Sequence, residues 1–249
     1  MKVIFVGAGP GDPELLTIKA EKLLRNCQYC IYTGSLVSPE VISLISENAE
    51  KHDSAGMDLE QITEVYKQAK EKGIDVIRLH TGDPSIFGAI LEQMERLDEL
   101  GISYEVVPGV SSFQAAAASL KAELTVPEKS QAIVLTRVAG RTPVPDEQDI
   151  TAFAKTGATL CIFLSVHSLD DIVEKLIPYY GENAPVAVVY KASWADEKTV
   201  KGTLADISGK VKKEKIQKTA IIIVGAGLER GHAASKLYGA AFSHGYRKA

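Results

Sequence analysis

Along the first half of the chain, short aliphatic runs alternate with stretches whose apolar positions recur every three or four residues. The run Val3–Val6 predicts a buried strand that enters a glycine-rich turn at Gly7. Leu15, Leu16, Ile18, Leu23 and Leu24 are spaced as one helix over 14–26, and Tyr29–Tyr32 reads as a second strand. A helix over 59–72 stops before Gly73, the residue type that most readily closes a helix in a left-handed conformation. Residues 75–80 predict a strand, 85–100 a helix closed by Gly101, 104–107 a strand and 111–120 an alanine-rich helix. That order belongs to a mostly parallel sheet with helices on its faces.

The polar stretch 123–130, with Pro127, breaks both periods and reads as a linker. A length of 249 residues suits two domains at about 100–200 residues each, so domains are expected at 1–120 and 121–249. In the second, strands are expected at 131–136, 159–164, 185–190, 199–204 and 220–224, with a helix near 169–177 and a surface loop over 142–149. The strands at 185–190 and 199–204 are too close for a parallel crossover of a dozen or more residues, so they should run antiparallel. The fold class expected is therefore α/β in two domains, the first sheet mostly parallel and the second mixed. The Val-Gly-Ala-Gly sequence at Val6 recurs at Val224, but without the Pro-Gly-Asp sequel it reads as a coincidence at a strand end.

A net charge of −4 argues against a general nucleic-acid or membrane binder. The apolar run before Gly7 is too short for a signal-peptide core, and no stretch approaches the ~20 residues of a membrane span. Cys27 and Cys30 have redox spacing, but they straddle a helix end and a strand. The three cysteines read as reduced thiols of a cytoplasmic protein, neither a disulfide framework nor a zinc set.

Three turns sit at the carboxyl ends of predicted strands: 7–12, 81–84 and 108–112. In an open parallel sheet those ends line one crevice, where ligands usually bind. Gly7 and Gly9 fit a dinucleotide fingerprint, but its sixth position is Asp12 and Pro10 lacks an amide proton. No acid ends the second strand, and none of the turns carries Lys or Arg. Such turns suit a neutral or cationic ligand better than a polyphosphate.

Val6-Gly-Ala-Gly-Pro-Gly-Asp-Pro-Glu-Leu-Leu-Thr17 and Leu79-His-Thr-Gly-Asp-Pro-Ser-Ile-Phe-Gly-Ala89 resemble the two signatures of the tetrapyrrole (corrin/porphyrin) methyltransferase family. Val107-Pro-Gly-Val-Ser-Ser-Phe-Gln-Ala115 resembles its third motif. Tyr32-Thr-Gly-Ser-Leu-Val37, Asp53-Ser-Ala-Gly-Met57, Leu135-Thr-Arg-Val-Ala-Gly-Arg-Thr-Pro143 and Pro185-Val-Ala-Val-Val-Tyr-Lys-Ala-Ser-Trp194 are similar to one branch, the precorrin-4 C11-methyltransferases. So is the tail around Ser235-Lys-Leu-Tyr238 and His244. The resemblance implies S-adenosylmethionine in a trough between the two domains, a corrin precursor as methyl acceptor, and a homodimer. Cofactor contacts implied by it are Pro10, Thr81, Gly82, Asp83, Ile86, Ser111 and Ser112, with Leu164, Ala192 and Ala220 from weaker local patterns. It implies no protein-bound metal; any cobalt would be carried by the substrate.

A sulfonium methyl is already an activated electrophile, so alignment is the main task and no catalytic triad is needed. The chain offers none, and His52, His80, His167, His232 and His244 are scattered. His80 reads as a hydrogen-bonded structural residue, with a ligand contact as the alternative. Asp83 in Gly-Asp-Pro reads as a turn organiser and cofactor contact, with a general base as the alternative. Arg137 and Arg141 are candidates to grip the acceptor's carboxylates, against a solvated loop. Lys121, Lys129 and Lys191 are weaker candidates, and Tyr32 and Trp194 pack either on a ring face or in the core. The rivals are another tetrapyrrole methyltransferase such as a uroporphyrinogen III enzyme, a silent tetrapyrrole or S-adenosylmethionine binder, and, disfavoured by the glycine loop, a nicotinamide oxidoreductase.

Overall fold

A computed structural model describes residues 1–229, 242, 243 and 245–247. The segment 235–238, His232 and His244 lie outside the described residues. The chain divides into two compact units, the first Met1–Ala115 with Lys191–Glu197, the second Ala116–Tyr190 with the chain from Lys198 onward.

The first unit runs β1 (Lys2–Gly7), α1 (Ile18–Asn26), β2 (Tyr29–Tyr32), α2 (Pro39–Ile42), β3 (Glu50–Asp53), α3 (Leu59–Lys72), β4 (Val76–His80), α4 (Leu91–Glu99), β5 (Ser103–Val107) and the start of α5 (Ser112–Leu120). Its sheet has the order β3-β2-β4-β1-β5, and every pairing is parallel. Side chains alternate between faces along a strand. Ile4, Val6, Ile77 and Leu79 pack with Ala20 and Leu24 of α1, while Val3, Phe5 and Val76 pack with α3 and with Leu97 of α4. Both faces are covered, which is why β1 reads as an unbroken apolar run.

Local signals explain most boundaries. Asp58 and Gln61 form a reciprocal capping box at the start of α3, and Gly73 ends it at φ 68°. The expected helix over 14–26 is instead a short 3-10 turn at Pro13–Leu15 followed by α1. Leu16 and Thr17 are extended, and the Thr17 side chain caps Ala20. The helix expected over 85–100 begins only at Leu91. Before it, Phe87 and Ala89 have φ of 53° and 49°, which no helix tolerates. Strand β3, of sequence Glu-Lys-His-Asp, has no apolar signature and forms by edge pairing with β2.

The second unit carries β6 (Ile133–Arg137), α6 (Ile150–Ala154), β7 (Thr159–Phe163), α7 (Leu169–Tyr180), β8 (Pro185–Tyr190), β9 (Lys198–Thr203), α8 (Ile207–Lys213) and β10 (Ala220–Val224). The order is β6-β7-β10-β8-β9, with β6 and β7 parallel and the rest antiparallel, so the sheet is mixed as expected. Strands β8 and β9 pair antiparallel from Pro185↔Thr203 to Tyr190↔Lys198. Ile162, Val188 and Ile222 from its strands pack with Ile172 and Leu176 of α7 and Ile207 and Val211 of α8. Among the described residues no helix is long and apolar enough to cross a membrane.

Candidate functional site

The central strands β1 and β4 deliver their carboxyl ends side by side, and β5 flanks β1. The three turns that follow them are tied together by backbone. The Ala8 amide donates to the His80 carbonyl at 2.7 Å. Gly9 and Gly82 exchange two bonds, N–H to O at 3.2 and 2.8 Å. A Cβ on Gly7 would stand 2.6 Å from Gly109 Cα and 2.7 Å from the Gly82 carbonyl oxygen, so glycine is required for this approach.

Asp83 closes the constellation. Its Oδ1 accepts from the Ser85 amide at 2.8 Å and from the Ser85 hydroxyl, and its Oδ2 accepts from the Gly109 amide at 2.9 Å. Burial alone would push this carboxyl up, but the bonds from Ser85 and Gly109 outweigh it and hold the pKa below the ordinary value. The side chain organises the turn. Ser111 is buried, and its amide donates to Gln114 Oε1 at 2.9 Å at the start of α5, next to Ser112. Thr81 is exposed, while Ile86 is half-buried with its amide on the Asp83 carbonyl at 3.2 Å.

Lys191–Glu197 completes this unit. The Trp194 indole Nε1 donates to the Pro10 carbonyl at 2.7 Å, and the Ser193 hydroxyl accepts from the Asp12 amide at 3.0 Å. A Cβ on Gly11 would overlap the indole. Trp194 therefore packs on the glycine loop, with Lys191 Nζ 4.8 Å from its ring centre, and Ala192 is buried beside it in sequence. The Gly9 and Asp12 amides are consumed within the chain, so this loop is no phosphate cradle.

In the second unit, Leu164 follows β7 with φ 54° and 62 % of its surface exposed, and Ala220 opens β10. Leu164 is thus a bulky apolar residue held both in a strained backbone conformation and at the surface. The Arg137 guanidinium is engaged by its own loop, donating to the carbonyls of Val138 at 3.4 Å, Thr142 at 3.2 Å and Pro143 at 2.7 Å. Arg141 is exposed and makes no side-chain bond among the described residues.

One group escaped the sequence reading: Arg78, only 4 % exposed in the middle of β4. Its signal was present, a lone cation between Ile77 and Leu79 in a strand otherwise apolar as far as His80. Alternation puts Arg78 and His80 on the face covered by α3 and α4. His80 is buried, and its pKa falls to about 3 through desolvation and then the charge of Arg78, so the ring is neutral.

Residues 2–208 match the family profile described as Tetrapyrrole (Corrin/Porphyrin) Methylases. The chain belongs to this family. A tetrapyrrole methylase of Methanocaldococcus jannaschii, the cobalt-precorrin-4 C(11)-methyltransferase, is 54 % identical over 249 residues, covering 99 % of this chain and 96 % of that protein. The X-ray structure of a cobalamin biosynthetic enzyme, cobalt precorrin-4 methyltransferase, superposes with a TM-score of 0.89 at 42 % identity, covering 92 % of this chain and 96 % of that chain. A uroporphyrin-III C-methyltransferase from Thermus thermophilus, solved with S-adenosyl homocysteine, gives 0.76 at 30 % identity, covering 92 % and 99 %.

Proposed function

We infer that this tetrapyrrole methylase transfers a methyl group from S-adenosylmethionine to C11 of precorrin-4 or its cobalt complex, in cobalamin biosynthesis. The observation that carries this reading is end-to-end identity of 54 % to a protein named for that reaction, against 30 % to one named for uroporphyrin III. The motifs at 135–143 and 185–194 point to the same branch.

The residues fit the methyl donor. The three turns present backbone groups and hydroxyls without Lys or Arg, which suits a cationic sulfonium. Gly82 at φ 61° has nothing closer than 3.7 Å to the position a Cβ would take, leaving room for a ligand against its backbone. Pro10, Thr81, Gly82, Asp83, Ile86, Ser111, Ser112 and Ala192 of the first unit would hold the donor, with Leu164 and Ala220 of the second as further contacts. Arg141 would hold an acceptor carboxylate, and Arg137 would keep the loop that carries it in shape. When bound, the donor supplies an electrophilic methyl on sulfur. The chain's task is to align the two reactants. Asp83 spends its carboxylate on the turn, so it does not act as a base. Any cobalt belongs to the substrate. The protein acts as a cytoplasmic homodimer in this reading, which light scattering of the purified chain tests for the oligomer.

The deciding experiment offers purified protein labelled S-adenosylmethionine with precorrin-4, cobalt-precorrin-4 and uroporphyrinogen III. Carbon NMR should locate the label on C11. Label on uroporphyrinogen III would move the chain to that branch, and complexes without turnover would make it a binder.

A further inference from the structure

A cavity of about 290 Å³ opens in the first unit between the end of β4 and the helices α3 and α4. Its wall includes Arg78 and His80, with Leu36, Met57, Ile86 and Phe87 among the apolar residues. The volume lies just below the range of small-molecule sites. It admits a side arm or the end of a ligand, not a macrocycle.

The polar groups of its floor are held rigidly. Gln93 Nε2 donates to the Ala89 carbonyl at 2.9 Å, which fixes the amide orientation. Its Oε1 accepts from Arg78 Nε at 2.9 Å and from the Tyr66 hydroxyl at 2.9 Å. The acceptor is then saturated, yet Arg78 Nη1 and His80 Nε2 have no hydrogen-bond partner. Among the described residues no carboxylate pairs with Arg78, whose pKa is drawn below its ordinary value by burial. A buried cation without a counter-charge is costly and is retained where something else supplies the charge. The first turn of α4 points the same way. Its N-cap Ile90 makes no side-chain cap bond, and Glu92 and Gln93 line the cavity. Two acids also line it. Asp58 is occupied capping Gln61 at 2.8 Å, and Glu92 is exposed, where solvent screens it.

We propose that Arg78, with His80 beside it, is a receptor for a carboxylate at the floor of this cavity. Guanidinium Nη1–H donates to one oxygen, and the protonated nitrogen of neutral His80 donates to the other. The source of the carboxylate rests on the proposed function: an acidic side arm of the tetrapyrrole, or the methionine end of the methyl donor. The recognition chemistry is the same for both. The apolar rim of Leu36, Ile86 and Phe87 suits a ligand that is greasy around its acid.

The first test needs no assumption about activity. Propionate is titrated into protein carrying ring-labelled histidine, and the His80 resonances are followed. A saturable shift is expected in the wild type and not in Arg78→Gln. Unmoved resonances up to roughly 100 mM, two decades above a complex of about 1 mM, overturn the proposal. The second test measures affinity for S-adenosylhomocysteine and for cobalt-precorrin-4 separately, in wild type, Arg78→Gln and Arg78→Lys. One ligand should lose about 10- to 100-fold in Arg78→Gln, the span of a hydrogen bond to a charged group, with partial recovery in Arg78→Lys. Which ligand loses affinity names the source. Unchanged affinity for both, or an equal loss for both that follows a lowered melting temperature, makes Arg78 purely structural. Should the acceptor prove to be a different tetrapyrrole, the propionate result stands independently.

Discussion

Two polar centres flank the end of β4, and they are built in opposite ways. Asp83 lies in the turn with each carboxylate oxygen bonded, to Ser85 and to Gly109. Arg78, five residues earlier, lines a cavity and is buried with one nitrogen bonded to Gln93 and another, also buried, without a partner. A saturated network inside a protein specifies structure, whereas an unsatisfied buried donor is a standing cost that a ligand can remove. The closed centre should therefore respond to mutation mainly in stability, and the open one mainly in binding and in proton uptake.

The largest effect should come from titrating the open centre. His80 has its pKa lowered from 6.5 to about 3 by burial and by Arg78. Between those values the unfolded chain binds a proton that the folded chain refuses. The stability from keeping His80 neutral is complete above pH 6.5 and is lost as pH falls toward 3. Denaturant titrations from pH 6.5 to about 4.5, above most carboxyl titration, should show a slope approaching about 1.4 kcal/mol per pH unit. His80→Phe should flatten it. A wild-type slope already flat in this window would mean that the ring is charged or solvated in the fold.

Next in size is the closed centre's packing. A Cβ on Gly109 would overlap the Gly82 carbonyl and stand 2.9 Å from Gly7 Cα, with backbone on both sides. Gly109→Ala should cost about 3 kcal/mol, the upper part of the range for overpacking. Gly56→Ala, with nothing within 4 Å of the new atom, should stay within about 0.5 kcal/mol. Urea midpoints compare the two directly.

Asp83→Asn should remove less. An amide offers one acceptor where the carboxylate offers two, so either Gly109 or Ser85 faces an NH2 group. A loss of about 2 kcal/mol is expected. The wild-type clamp is complete above the ordinary carboxyl value of 3.8 and is lost as pH falls through the lower folded value. Single-turnover methyl transfer should persist, with any loss mostly in S-adenosylmethionine affinity. A fall of about four orders of magnitude in the chemical step alone would make Asp83 a catalytic base.

The closed centre was legible in the sequence because glycine, proline and short polar residues at strand ends have few conformational readings. The open centre was not, since it depends on which face of β4 meets α3 and α4, and on a segment at 84–90 in which Phe87 and Ala89 sit at positive φ. Phe87 and Ala89 carry no sequence mark of that conformation, so 85–100 reads as one helix. Similarly, α3 was legible through its apolar spacing and Gly73, with Asp58 capping its start in the structure, while β3 depends wholly on its neighbour. The roles of Arg137 and Arg141 look alike in sequence, four residues apart in one loop, and separate only when hydrogen bonds are placed.

That pair repeats the contrast on a smaller scale. Arg137 is the closed member, with its guanidinium on the carbonyls of residues 138, 142 and 143. Arg141 is the open one, exposed and unengaged among the described residues. Arg137→Ala should destabilise by about 1 kcal/mol, a net figure for solvent-accessible hydrogen bonds. It should weaken the acceptor only as far as the loop is disturbed. Arg141→Ala should leave the urea midpoint within about 0.5 kcal/mol. If Arg141 pairs with an acceptor carboxylate, its removal should weaken cobalt-precorrin-4 binding by about 1.5 kcal/mol, the low end for charged hydrogen bonds because the site is solvated. Added salt should shrink that difference, as screening shortens the reach of an exposed charge. Equal acceptor affinity in wild type and Arg141→Ala at low salt would return Arg141 to the solvated loop, leaving Arg78 to account for recognition of the acid.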